Sequence, residues 1–409
     1  MKLPDGWSIE NLDNLVKFSS GGTPSKNNAT YWNGDIPWIS ASTMHQQEIV
    51  TSDLFISETG LASGSKLAKT DDLLLLVRGS MLWKKVPICI CKRDVAFNQD
   101  VKALRTNKKI LPTYLLYWFL AHQSFLLNKV VGTGIGAGKI DFDELKSLEI
   151  VHPPLPEQKA IADLLSTWDE AIGKTERLIQ AKENQFKWML QGLTSKPQKD
   201  TEWEKVKLGE IGEIKKGKGI TKDDLTERGI PCIRYAEIYT LYDFHVSEIQ
   251  SCVTQKAFDS ALKIEQGDVL FAASGETKEE IGKCIVYLGT KTACTGGDTL
   301  VFKAQLNLCD PMFMGFALNH PDVNRQKSSF AHGNSVVHLY GKDLANIYLI
   351  LPPLEKQKQI AETLSTAQHE IDLLKQLAEK YKTQKRGLMQ KMLTGEWRVK
   401  EEIVKNIER

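Results

Sequence analysis

The chain has 409 residues, with 53 basic and 51 acidic side chains for a net charge of +2. At roughly 100 to 200 residues per domain, this length calls for two domains and connectors, and 42% hydrophobic with 25% charged residues excludes a disordered chain. The charge balance excludes a surface that is basic throughout: residues 1–150 hold 17 basic and 15 acidic side chains and residues 201–350 hold 17 and 20, so a polyanion site would be local.

From the N-terminus, MKLPDGWSIENLDN has no apolar core of signal-peptide length. Short runs rich in Leu, Val and Ile, bounded by Gly, Pro, Asn and Asp, predict strands joined by turns. A helix is predicted over 114–127, and its apolar run is interrupted by His122, Gln123, Asn128 and Lys129, which argues against a membrane span. GTGIGAGK, Gly132 to Lys139, resembles a phosphate loop, but Thr133 stands where such a loop needs glycine and Ile140 where it needs Ser or Thr. A mobile loop is expected there, with Lys139 as a candidate phosphate contact. Pro153, Pro154 and Pro156 then stop the chain from running helically out of the globular part. From Ile161, positions 161, 165, 168, 172, 175, 179, 182, 186, 189 and 193 follow the alternating four-and-three spacing of a coiled-coil seam, and Trp168 falls in it as a packing residue. Such a helix of about 35 residues is roughly 50 Å long at 1.5 Å per residue.

The second half repeats the first. PPLPEQKAIADLLST at Pro153 recurs as PPLEKQKQIAETLST at Pro352, displaced by 199 residues, and the seam returns from Ile360. Trp7 aligns with Trp203, Leu12 with Leu208, Gly21 with Gly217, IPWIS at Ile36 with IPCIR at Ile230, and DLLLLVRGS at Asp72 with DVLFAASGE at Asp268. Pro311 to Leu318 is a further predicted helix. The expected fold is mixed α/β: two globular domains, 1–152 and 197–351, separated by two long antiparallel coiled-coil helices, 153–196 and 352–409 with the C-terminal tail, as a pseudo-two-fold repeat. The fronts have diverged far more than the helical backs.

These elements resemble the specificity subunit of type I DNA restriction-modification enzymes, on the paired PPLxxQKxIAxxLST helix openings, the ending KRGLMQKMLTGEWR from Lys385 and the Trp-containing start of each half. The resemblance implies two target-recognition domains that each read one half of a bipartite site on double-stranded DNA, with helices that space them and dock two methyltransferase subunits. It implies ATP-dependent restriction subunits as further partners and no chemistry in this chain. Under it the cofactors, S-adenosylmethionine, ATP and Mg, are expected on the partner subunits. Divergent fronts predict unlike half-sites and a non-palindromic target.

Candidate DNA contacts follow from where donors cluster near turns. In the first half they are Lys26, closing SSGGTPSK, and Arg78, Ser80, Lys84, Lys85, Lys92 and Arg93 in VRGSMLWKKVPICICKR, together with Lys139. In the second half they are Lys215, Lys216, Lys218 and Lys222 in KKGKGITK, Arg234 after the IPCI run, and Ser274, Lys278 and Lys283 in AASGETKEEIGKCIV. A solvated charge run is the plain alternative for each. Trp7, Trp38 and Trp203 read as core anchors. The seven cysteines include no CxxC and the eight histidines no ligand cluster, so free thiols, no metal and a cytoplasmic chain are expected. GxxxxGK[ST], HExxH, GxSxG and the Asn/Asp-Pro-Pro-aromatic motif of amino-methyltransferases are missing, which favours a binding subunit. A nucleotide-binding enzyme built on GTGIGAGK and a coiled-coil scaffold without DNA recognition are the alternatives.

Overall fold

The computed structural model describes residues 3–134, 136–195, 202–333, 335–400 and 402–404. The connector at 196–201, where the first helix was expected to give way to the second domain, lies outside them, as does Ile135 of GTGIGAGK. The chain forms two compact units, Met1–Thr175 with Leu377–Arg409, and Glu176–Gln376. Each unit therefore holds one globular domain and a part of both long helices, Leu155–Leu193 and Leu354–Leu393.

In the first unit a five-stranded sheet runs in the order Val16–Ser20, Val101–Thr106, Leu73–Leu76, Ile88–Cys91, Glu48–Ile49, antiparallel except for the last pair. Leu73–Leu76 and Ile88–Cys91 are fully buried, as expected of unbroken apolar strands in a sheet covered on both sides. A second sheet sets Ile36–Ile39 parallel to Val95–Phe97, and helix Pro112–Ala121 packs on the core through Tyr114, Leu115 and Phe119. The expected helix over 114–127 breaks at His122 and resumes at Gln123–Leu127. Ser8–Asn11 pairs with Glu149–His152, tying the domain's start to its end.

The second unit repeats this plan. Its main sheet runs Gly212–Lys216, Thr299–Ala304, Val269–Ala272, Cys284–Tyr287, His245–Val246, with the same single parallel pair at the same edge. Ile230–Ile233 lies parallel to Ala293–Thr295, and Glu204–Lys207 pairs with Tyr348–Leu351. The aligned tryptophans Trp7 and Trp203 are both buried at the head of these strands, and Trp38 is buried too. The aligned glycines have a steric reason: a Cβ on Gly21 would lie 2.0 Å from the Phe97 carbonyl oxygen, and one on Gly217 would lie 1.9 Å from that of Gly296. Gly217 thus serves close strand packing within KKGKG.

The repeated helix openings seat each helix on its own domain through one buried glutamine. Leu111 N–H donates to Gln158 Oε1 at 2.8 Å while Gln158 Nε2 donates to the Lys109 and Pro153 carbonyls at 2.9 and 2.8 Å. Gln357 does the same with Asp310 N–H and the Leu308 and Pro352 carbonyls, each at 2.8 Å. Within the first unit the helices run antiparallel: Glu157, near the start of the first, pairs with Arg398, just past the end of the second, at 2.7 Å, and further along Asp169 Oδ1 accepts from Lys385 Nζ at 2.5 Å, with Trp168 edge-on to Tyr381. Within the second unit Lys182 pairs with Glu370 and Glu183 with Lys375 across the same two helices. Every seam position named above is buried or half-buried.

Candidate nucleic-acid interface

The candidate interface is built where each main sheet meets the hairpin that follows its helical layer. In the first domain Val130–Gly132 and Gly138–Ile140 pair antiparallel, and Gly138–Ile140 also pairs with Arg78–Gly79. Gly132 and Gly138, within GTGIGAGK, thus face each other in a β-hairpin: Thr133 N–H donates to the Ala137 carbonyl at 2.8 Å and Trp83 Nε1 to that of Gly136 at 3.0 Å. The register sets Lys139 directly across from Arg78. Both side chains are exposed, and among the described residues neither has an acidic partner. Cross-strand neighbours stand about 5 Å apart, so these two cations form one patch.

The second domain builds the same frame with other residues. Ile140 N–H donates to the Val77 carbonyl and Leu339 N–H to that of Ala273, each at 2.9 Å, while Val77 and Ala273 N–H donate to the Asp100 and Asp298 carbonyls, again at 2.9 Å. These bonds make Ser274 the counterpart of Arg78 and His338 that of Lys139, and Ser274 and His338 are indeed paired across the strands. Ser274 Oγ lies 3.2 Å from Asp298 Oδ1 and 3.0 Å from His338 Nδ1. The serine stands between the other two groups, so this is not the order of a hydrolytic triad, in which histidine is central. A groove of about 480 Å³ opens beside it, lined by Lys216, Ser274, Asp298, His338, Gly341 and Lys342 among others. In the first domain the place of Gly341 belongs to Phe142, which packs edge-on to Phe18 at 5.2 Å and carries the ammonium groups of Lys102 and Lys146 over its ring.

The remaining candidates divide. Lys26, Ser80, Lys84, Lys85, Lys216, Lys218, Lys222 and Lys278 are exposed. Lys92 and Arg93 are exposed too but lie beyond strand Ile88–Cys91 from Lys84 and Lys85, where Lys92 pairs with Glu48 at 3.0 Å and Arg93 reaches the Asp35 carbonyl at 3.4 Å. Lys215 pairs with Glu213 at 3.0 Å.

Three expectations need correction. Ser274 is buried and spent on Asp298 and His338. Lys283 is turned inward: Nζ donates to the Tyr242 and Tyr239 carbonyls at 2.7 and 3.3 Å, and burial holds its pKa below the ordinary lysine value. Arg234 caps helix Tyr235–Thr240, its N–H and guanidinium both bonded to the buried Glu237 at 2.9 Å. Its first-half counterpart Ser40 fills the same role, with its N–H donating to Thr43 at 3.1 Å.

His338 escaped the sequence reading, although the displacement of 199 residues carries Lys139 onto it. Among the described residues no group of His, Cys, Asp and Glu is arranged to hold a metal, the cysteines are free, and no helix is long and apolar enough to cross a membrane.

Two α/β domains of one strand order, each with its own long helix and a divergent surface at one fixed position, define a duplicated recognition protein. The chain belongs to the type I restriction modification DNA specificity domain family, whose model matches residues 4–183 and again 200–382. It is 26% identical to the type I restriction enzyme MjaVIII specificity subunit of Methanocaldococcus jannaschii, over 98% of this chain and 95% of that one. It is 33% identical to the EcoR124I/EcoR124II specificity subunit of Escherichia coli, over 46% of this chain and 48% of that one. The crystal structure of the type I restriction-modification S subunit from M. genitalium shares the fold, with a TM-score of 0.59 at 16% identity over 96% of this chain and 98% of that chain.

Proposed function

We propose that this chain supplies DNA sequence specificity to a type I restriction-modification complex, each domain reading one half of an asymmetric bipartite target. The observation that carries the reading is one backbone frame used twice with unlike side chains on it, Arg78 and Lys139 in one domain, Ser274 and His338 in the other. Mere spacing would need no such difference. The exposed cations Lys26, Lys84, Lys85, Lys216, Lys218, Lys222 and Lys278 are assigned to phosphates, which need only positive charge and position the protein on the duplex.

In this reading the chain does no chemistry. Two methyltransferase subunits dock on the long helices and bring S-adenosylmethionine, restriction subunits bring ATP and Mg, and the assembly works in the cytoplasm. The test is to purify the chain with methyltransferase subunits of a type I system and sequence the methylome of DNA they modify. N6-methyladenine at one bipartite, non-palindromic motif is expected; methylation without such a motif, or its persistence when this chain is omitted, overturns the reading.

A further inference from the structure

Hydrogen-bond bookkeeping around His338 fixes what that side chain offers to a ligand. The Asp298 carboxylate accepts hydrogen bonds, and Ser274 has a single hydroxyl proton, donated to Asp298 Oδ1 at 3.2 Å. The 3.0 Å contact between Ser274 Oγ and His338 Nδ1 therefore requires the imidazole to donate from Nδ1. In a neutral ring the other nitrogen, Nε2, is then an acceptor. Among the described residues Nε2 has no partner, and the ring lines the groove together with Lys216 and Lys342, both exposed cations of the kind that hold phosphates. The same cross-strand pair in the first domain has the reverse polarity: Lys139, the counterpart of His338, and Arg78 across from it carry donors only.

We infer that the cross-strand position shared by the two domains is where each discriminates bases, with opposite hydrogen-bond polarity. His338 presents an acceptor to an exocyclic amino group, on cytosine or adenine, and is held for that purpose by Ser274 and Asp298. Arg78 presents donors to the acceptor edge of guanine. The assignment follows from the base edges in the major groove, where only cytosine N4 and adenine N6 donate and where guanine O6 and N7 match the fork of an arginine. Gly341 is part of the same design. It lines the groove with His338, whereas its first-domain counterpart Phe142 packs on Phe18 and carries the ammonium groups of Lys102 and Lys146 over its ring. Ser274 and Asp298 are positioning residues, because they act on the base through the imidazole.

The inference rests on the proposed DNA specificity, and one experiment separates the two. The complex of this chain with its methyltransferase subunits is given a library of randomised duplexes, and the methylated motif is read for wild type, His338→Ala, Ser274→Ala, Ser274→Thr and Arg78→Ala. His338→Ala is expected to relax one position in one half of the motif, with discrimination there falling on the order of 10-fold and the other half intact. Ser274→Ala relaxes the same position less, and Ser274→Thr, which keeps the hydroxyl, restores it. Arg78→Ala relaxes a guanine in the opposite half. If His338→Ala does not assemble, His338→Gln serves in its place and must alter preference at a single position. An unchanged motif in the His338 variant, or a uniform loss of methylation on all sequences, overturns the inference while leaving the specificity reading intact. A wild-type complex without a bipartite motif overturns both.

Discussion

The helix openings and the recognition surfaces of the two domains obey different rules. At the openings Gln158 and Gln357 make the same three hydrogen bonds to equivalent backbone groups, within 0.1 Å of one another. On the recognition surface the backbone bonds are again equal, yet the side chains differ in charge, length and hydrogen-bond polarity. The difference lies in the solvent. A buried N–H or carbonyl has no other partner, so the residue that satisfies it is held in both copies; Arg78 and Lys139 are exposed and satisfied by water, so the fold does not require the same residues at Ser274 and His338, which satisfy each other.

The largest effects should fall on shared framework positions, equally in both domains. Gly21→Ala and Gly217→Ala each push a methyl group onto a backbone carbonyl oxygen, that of Phe97 at a strand end and that of Gly296 just past one, and each should cost about 3–4 kcal/mol in chemical denaturation. A glycine that proves silent in one domain would break the equivalence. Next come Gln158→Leu and Gln357→Leu, each stranding an N–H and two carbonyls near the helix start. About 2–3 kcal/mol is expected for each, read as loss of hydrogen-exchange protection at Leu111 and at Asp310 respectively.

A third prediction concerns the second domain. Lys327 is fully buried, its Nζ donating to the Gly282 carbonyl at 2.6 Å and that of Leu318 at 2.9 Å, and burial lowers its pKa from 10.5 to about 8. The facing titratable group is the Cys284 thiol, itself raised to about 11 by burial. Because the folded value lies below the unfolded one, the unfolded chain holds more protons between these limits and stability rises with pH there. Lys327→Met lacks this contribution and keeps only the slopes of the other groups, such as the raised Cys284 thiol, which both proteins share. The stability of wild type relative to this variant should therefore climb from pH 8 to pH 10, and a constant difference would show that the ammonium is not held neutral by the fold.

The long helices were legible because their seam repeats every seven residues and because the same opening occurs twice; the buried glutamine in each opening is the physical content of that repeated QK. The strand order was legible only as strands and turns, since the partner of Gly138–Ile140 lies some 60 residues earlier at Arg78–Gly79. Exposure followed charge at Arg78 and Lys139, as their place beside turns suggests. Exposure was misjudged where a polar side chain is bonded within the fold. Lys283 is bound by backbone carbonyls, which leave no trace in the sequence. Arg234 did carry a signal, the glutamate three residues on that marks a capped helix start. His338 was legible only through the repeat, because a single histidine among small polar residues announces nothing by itself.

The smallest stability effect is predicted at the outer lysines, and it sharpens the contrast between holding DNA and reading it. Lys84 and Lys85 are exposed and flank the 3₁₀ turn Ser80–Trp83. Replacing both with Gln removes no buried contact, so stability should change by no more than about 0.5 kcal/mol. If both meet phosphates, affinity should fall to a similar degree on every sequence, and the slope of log K against log salt should flatten by about 0.9 for each lost contact. The methylated motif should stay as in wild type, whereas Arg78→Ala, a few residues away on the same edge, should alter it. A sequence-dependent loss in the double lysine variant would move these residues from the phosphate-holding group to the reading group, because a charge that only meets the backbone cannot distinguish one base pair from another.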